Sequence, residues 1–167
     1  PLVAWTPDSQ WLILSQPVAE TGAYGLRLVS IETSEVRALT NPPPDSPGDC
    51  CPAVSPDGRT LAFLRATAAR ASRPLLLDIA ADGRSQGQVR PLDVPSCLNP
   101  MWMGDSSELL CVIGEGEDRT LWRVPVRKHG AAQYIPGIGQ LGRHLALRLT
   151  LVNSIGSNQS TLCLPAS

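Results

Sequence analysis

Histidine is scarce in this chain of 167 residues, with two, His129 and His144, and no acidic residue follows Asp118. A general base needs a nucleophile and an orienting carboxylate in reach. Neither histidine has that company in sequence, so both are read as surface residues. Nor does the chain have room for a hydrolase domain presenting a serine nucleophile on a strand-to-helix elbow. No Gly-Lys-Ser/Thr phosphate loop occurs, and Gly114-Glu115-Gly116 lacks the helix and the third glycine of a dinucleotide-binding turn. The chain is therefore not expected to be an enzyme, and no cofactor is expected. Long apolar runs are missing too. The strictly aliphatic stretches, such as Leu75-Leu76-Leu77, fall far short of the roughly 20 residues of a membrane-spanning helix. No signal peptide is visible, and because the chain opens at Pro1, localisation, periplasmic or cytoplasmic, is expected to depend on residues upstream.

Charge of one sign is also lacking. Fourteen Lys plus Arg oppose fifteen Asp plus Glu, a net charge of -1, which disfavours a generally basic nucleic-acid binder. With no recognition-helix pattern either, direct nucleic-acid contact is not expected. Residues 119–167 carry only positive charge, but Arg119, Arg123, Arg127, Arg143 and Arg148 are scattered among apolar residues and are read as facing solvent. Hydrophobic residues make up 43% and charged ones only 17%, a balance that buries a core. The five cysteines, Cys50, Cys51, Cys97, Cys111 and Cys163, contain no Cys-x-x-Cys pair, so no metal site is expected. A bond between neighbours strains the peptide, so Cys50 and Cys51 are expected to be free thiols.

What is present is repetition. Ala4-Trp5-Thr6-Pro7-Asp8-Ser9-Gln10-Trp11-Leu12-Ile13-Leu14 aligns with Ala53-Val54-Ser55-Pro56-Asp57-Gly58-Arg59-Thr60-Leu61-Ala62-Phe63, and a third copy runs from Met101 to Cys111. Asp8, Asp57 and Asp105 are spaced 49 and 48 residues apart, which points to one structural unit used three times. Short runs rich in branched apolar residues follow each turn, at 25–31 and 35–40, 74–79 and 88–92, and 120–126 and 132–135. Each unit thus reads as a four-stranded meander. In Ser55-Pro56-Asp57-Gly58 the proline presets the first corner, the aspartate accepts from backbone amides and Gly58 takes positive φ. Ser9 and Ser106 replace that glycine, so the first and third turns must tolerate a less favourable residue or change type. Asp8, Asp57, Gly58 and Asp105 are read as structural turn residues.

Radially arranged four-stranded units of this length are the blades of a β-propeller. The stretch Pro52 to Phe63 resembles the WD-like repeat of the TolB-like propellers, which carries Ser-Pro-Asp-Gly between the first two strands of a blade. Leu26 to Ile31 and Arg37-Ala38-Leu39-Thr40 are similar to that family's third strand and its closing Arg-x-Leu-Thr. The resemblance covers residue 3 to about residue 136. It implies an all-β, partial β-propeller of about three four-stranded antiparallel blades: 1–49, 50–97 and 98–136, with 137–167 a degenerate fourth-blade start or a tail. Six blades, the usual number, need roughly 290 residues at about 48 each, so the chain is an arc whose end faces want cover, and two copies would close a ring of about six blades.

TolB-like blades occur in a periplasmic adaptor, in propellers that gate serine peptidases and behind winged-helix domains of bacterial regulators. The resemblance therefore implies fold more than function. The expected role is a non-enzymatic interaction or ligand-sensing module of a larger bacterial protein, such as a winged-helix regulator. The alternatives are a substrate-gating propeller of a serine peptidase and a periplasmic TolB-type adaptor. Loops that lead into each blade and those joining its second and third strands share one rim, and that rim is the expected docking face for a protein partner or a small polar ligand. By position it gathers Asp49, Arg65, Arg70, Arg73, Asn99, Glu117 and Arg119, a mixture of charges that suits complementary recognition.

Overall fold

The computed structural model describes residues 3–67, 71–114, 118–127 and 130–136, which form twelve strands and no helix. The first group is β1 (Val3–Trp5), β2 (Trp11–Pro17), β3 (Tyr24–Ser30) and β4 (Val36–Ala38). The second is β5 (Gly48–Val54), β6 (Thr60–Ala66), β7 (Ser72–Ile79) and β8 (Ser85–Pro91), starting at Gly48 rather than at Cys50. The third is β9 (Met101–Trp102), β10 (Glu108–Ile113), β11 (Thr120–Pro125) and β12 (Gln133–Tyr134). Within each group every strand pairs antiparallel with the next, giving three meanders. A single parallel bridge, Tyr24 to Gly48, joins the first two sheets along one edge. Apart from that point the sheets meet face to face.

The three Asp-bearing turns share one hydrogen bond. Asp8 Oδ1 accepts from the amide of Gln10 at 3.0 Å, Asp57 Oδ1 from Arg59 at 3.1 Å and Asp105 Oδ1 from Ser107 at 3.0 Å. Gly58 sits at φ +70°, and its counterparts Ser9 and Ser106 both sit at φ 60°. The serines therefore adopt the left-handed conformation itself, with no change of turn type. Ser106 has a compensating contact, because its Oγ accepts from the Asp57 amide of the neighbouring turn at 3.0 Å.

Residues opposite one another across a ladder share a face. The row Ala4, Ile13, Leu28, Arg37 therefore looks one way, and the row Val54, Leu61, Leu77 of the second sheet looks back at it. Their apolar members belong to a single buried core with Phe63 and Leu75. The other face of the second sheet carries Ala53, Ala62, Leu76 and Arg90, and packs on Trp102, Leu109 and Val124 of the third. Both inner faces of the middle sheet are buried, as in a ring where each blade is covered by its neighbours. The leading strands β1, β5 and β9 lie side by side, each next to its successor, so the sheets fan out from one edge.

Arginines at the end of each row clamp adjacent sheets. Arg37 lies over the Trp11 ring, 4.6 Å from its centroid, and donates to the carbonyl of Asp82 in the next sheet at 3.0 Å. Arg90 repeats this one sheet on, donating to the carbonyl of Val126 at 3.3 Å. The close of the first unit thus has a mechanical meaning: Arg37 bridges, Leu39 enters the core, and Thr40 Oγ1 accepts from the Leu26 amide at 2.9 Å. Gly83, at φ +76°, sits so near the first sheet that an added Cβ would lie 2.3 Å from Leu28 Cδ2.

Candidate functional site

The rim is assembled at one end of the second and third sheets. Asp49 near the start of β5, Arg65 near the end of β6 and Arg73 at the start of β7 are cross-strand neighbours, Asp49 opposite Arg65 and Arg65 opposite Arg73. The Asp49 side chain is wholly buried, and both its oxygens are taken by Arg65, at 2.7 Å from Nε and 2.9 Å from Nη2. Ser15 of the first sheet donates to the Asp49 carbonyl at 2.7 Å. Asp49 therefore has no oxygen to offer a partner, and Arg65, only 21% exposed and facing Phe63, is committed to it. Arg73 stands exposed beside this pair and makes no ion pair among the described residues.

Asn99 and Arg119 flank the far end of β10. The Leu98 amide donates to the Val112 carbonyl at 2.9 Å, which lays the loop carrying Asn99 against β10. On the other side Arg119 precedes Thr120, whose hydroxyl donates to the Ile113 carbonyl and accepts from the Trp122 indole. Asn99 Oδ1 and Arg119 Nε are both buried, and neither has a hydrogen-bond partner among the described residues. One is an acceptor and the other a donor, and each such group left unsatisfied costs about 1–3 kcal/mol. Arg70 and Glu117, also expected on the rim, lie outside the described residues, as do both histidines.

A sulfur-rich core supports this end. Cys97 and Cys111 form a disulfide with Cα atoms 5.0 Å apart, tying the Asn99 loop to β10. The expectation of two free thiols at Cys50 and Cys51 is corrected: Cys50 is free, whereas Cys51 is disulfide-bonded. Their sulfurs touch at 3.1 Å without a bond between them. Cys51 sits at φ 57° where β5 slips register against β6, an irregularity no residue pattern announced. Burial first, and then the Asp49 charge, push the Cys50 thiol up to about 11. A thiol so held is protonated and unreactive at neutral pH.

No protein-family model matches the chain, and no curated protein matches it. Solved structures do. TolB from Acinetobacter baumannii superposes with a TM-score of 0.65 at 18% identity, over 84% of this chain and 33% of that one. A puromycin hydrolase gives 0.62 at 21% identity, over 79% of this chain and 22% of the hydrolase. The β-propeller domain of the Trilobed protease from Pyrococcus furiosus gives 0.51 at 18% identity, over 77% and 40% of the two chains. The chain thus spans well under half the length of each of these proteins. Its fold is a partial, open TolB-like β-propeller.

Proposed function

We propose that this arc of propeller is a non-enzymatic recognition module whose rim takes a protein partner or a small polar ligand through Asn99, Arg119 and Arg73. One observation carries the reading: an acceptor and a donor, beside the end of β10, are buried without partners among the described residues. A peptide offers both complements, an N–H for Asn99 Oδ1 and a C=O for Arg119 Nε. Arg73, which makes no ion pair among the described residues, adds an exposed positive charge on the same rim. The Asp49–Arg65 pair contributes by fixing the sheet end, and touches no ligand.

The test follows the Asn99 side-chain amide and the Arg119 Hε signals by NMR while pools of short peptides are added to the full chain. Both signals are expected to shift with the same peptides, and Asn99→Ala and Arg119→Ala are each expected to remove the response. Shifts confined to other parts of the chain would contradict the proposal. A second reading, the access-limiting part of a peptidase, is supported by the likeness to puromycin hydrolase and to the Trilobed protease propeller. In that case the rim would face a hydrolase domain, and Asn99→Ala would alter the size of substrates admitted to it rather than peptide binding by the chain alone.

A further inference from the structure

At the opposite end of the second sheet, about 17 Å from Arg65 along β6, lies a cleft of about 580 Å3. Its walls are the turn residue Arg59, Thr60 of β6, Asp78 and Ile79 of β7 with the loop after them, Arg90 of β8, and Arg127 just beyond β11. Arginines from three separate chain segments thus converge on one concavity, at the seam between the second and third sheets. Their existing partners are loosely held. Arg90 Nη2 lies 3.4 Å from Asp78 Oδ1, and Arg127 Nη2 lies 3.7 Å from Asp57 Oδ2. The Asp49–Arg65 pair, by contrast, closes at 2.7 and 2.9 Å in two-pronged geometry. Arg59 makes no ion pair among the described residues. A long, single-pronged, solvent-exposed contact contributes little, so an incoming anion displaces it at small cost.

We propose that this cleft is an anion-binding site for a phosphate group, with Arg59, Arg90 and Arg127 as its ligands. Arg90 is held in place from behind, since its Nη1 donates to the Val126 carbonyl while Nη2 points to Asp78. A planar guanidinium fixed in this way suits oxyanion recognition better than a mobile ammonium. Asp78 is the built-in competitor: its carboxylate occupies the position by Arg90 that a phosphate oxygen takes. The volume lies within the range of sites for small organic ligands, so the phosphate fits as part of a larger molecule, such as a phosphate monoester. The site is separate from the rim and does not depend on the proposed rim function.

Isothermal titration of the full chain at low salt, about 20 mM, where exposed charges are least screened, tests the proposal with inorganic phosphate, pyrophosphate and adenosine monophosphate. Binding is expected for at least one of them, tighter for the nucleotide if the cleft takes a phosphate ester and tighter for pyrophosphate if it takes the free anion. Arg59→Gln and Arg90→Gln should each weaken it about tenfold or more, as loss of a charged hydrogen bond does. Asp78→Asn should tighten it several-fold, a gain that damage to the fold cannot mimic. Absence of heat with all three probes overturns the proposal. So does affinity that ignores the arginine substitutions, or weaker binding by Asp78→Asn.

Discussion

Removing Arg65 is the most informative single perturbation of the rim. In Arg65→Met the Asp49 carboxylate stays wholly buried and loses partners at both oxygens. Stripping one member from a buried pair typically costs about 3–5 kcal/mol. Arg65 is 21% exposed, so water reaches part of the pair and the lower end, about 3 kcal/mol, is expected. Asp49→Leu alone should cost less, about 1 kcal/mol, because the guanidinium can turn toward solvent. The double variant Asp49→Leu/Arg65→Met leaves no buried charge and should be close to Asp49→Leu. The coupling energy is then about 2–3 kcal/mol, read by urea unfolding followed by Trp fluorescence. With a slope of about 2 kcal/mol per M, Arg65→Met lowers the midpoint by about 1.5 M. A coupling below about 0.5 kcal/mol, the size expected of an exposed pair, would refute the claim that Asp49 and Arg65 are tied to each other and unavailable to a partner.

Three further expectations test the turns, the disulfide and the thiol. Ser9→Gly relieves left-handed strain at φ 60° and should stabilise by about 1 kcal/mol, whereas Ser106→Gly also strips the acceptor from the Asp57 amide and should gain nothing; thermal unfolding separates the two. Cys97→Ala/Cys111→Ala opens a loop with a sequence separation of 14 and should cost about 3 kcal/mol in the same assay. Cys50 is raised from 9.0 to about 11, so its alkylation by iodoacetamide should keep accelerating up to that pH. Since the folded form holds its proton more tightly, the associated stability is full below pH 9 and lost as pH rises toward 11, by up to about 3 kcal/mol. Cys50→Ala should abolish that part of the alkaline loss.

The parts of the fold legible in the sequence are those encoded locally. The recurring Pro-Asp motif marks turns because Asp8 and Asp57 each accept an amide two residues on, a contact set by nearest neighbours. A short run of branched apolar residues marked β7, a strand buried on both faces, in the same local way. What stayed hidden needs the stacking of sheets. Ser106 looked like a poor substitute for glycine, yet it bonds Asp57, a residue far away in sequence. Spacing alone does not pair five cysteines, so the Cys97–Cys111 bond appears only once β10 is laid beside the loop before β9. Asp49 and Arg65 were both expected to face a partner because each sits at a loop boundary, and their cross-strand register, set by the slip in β5, turns them toward each other instead. The arginine cleft draws on three segments with no common motif.

The central claim is that the Asp-bearing units are separate sheets stacked face to face around one edge. Solution NMR with hydrogen exchange addresses it directly through contacts that exist only between sheets. The account predicts slow exchange of the Trp102 indole N–H, which donates to the Ala53 carbonyl at 2.9 Å, slow exchange of the Asp57 amide, and a nuclear Overhauser contact between Gly83 and the Leu28 methyls. Fast exchange at both N–H groups with no Gly83–Leu28 contact, while the ladders within each sheet remain protected, would contradict it.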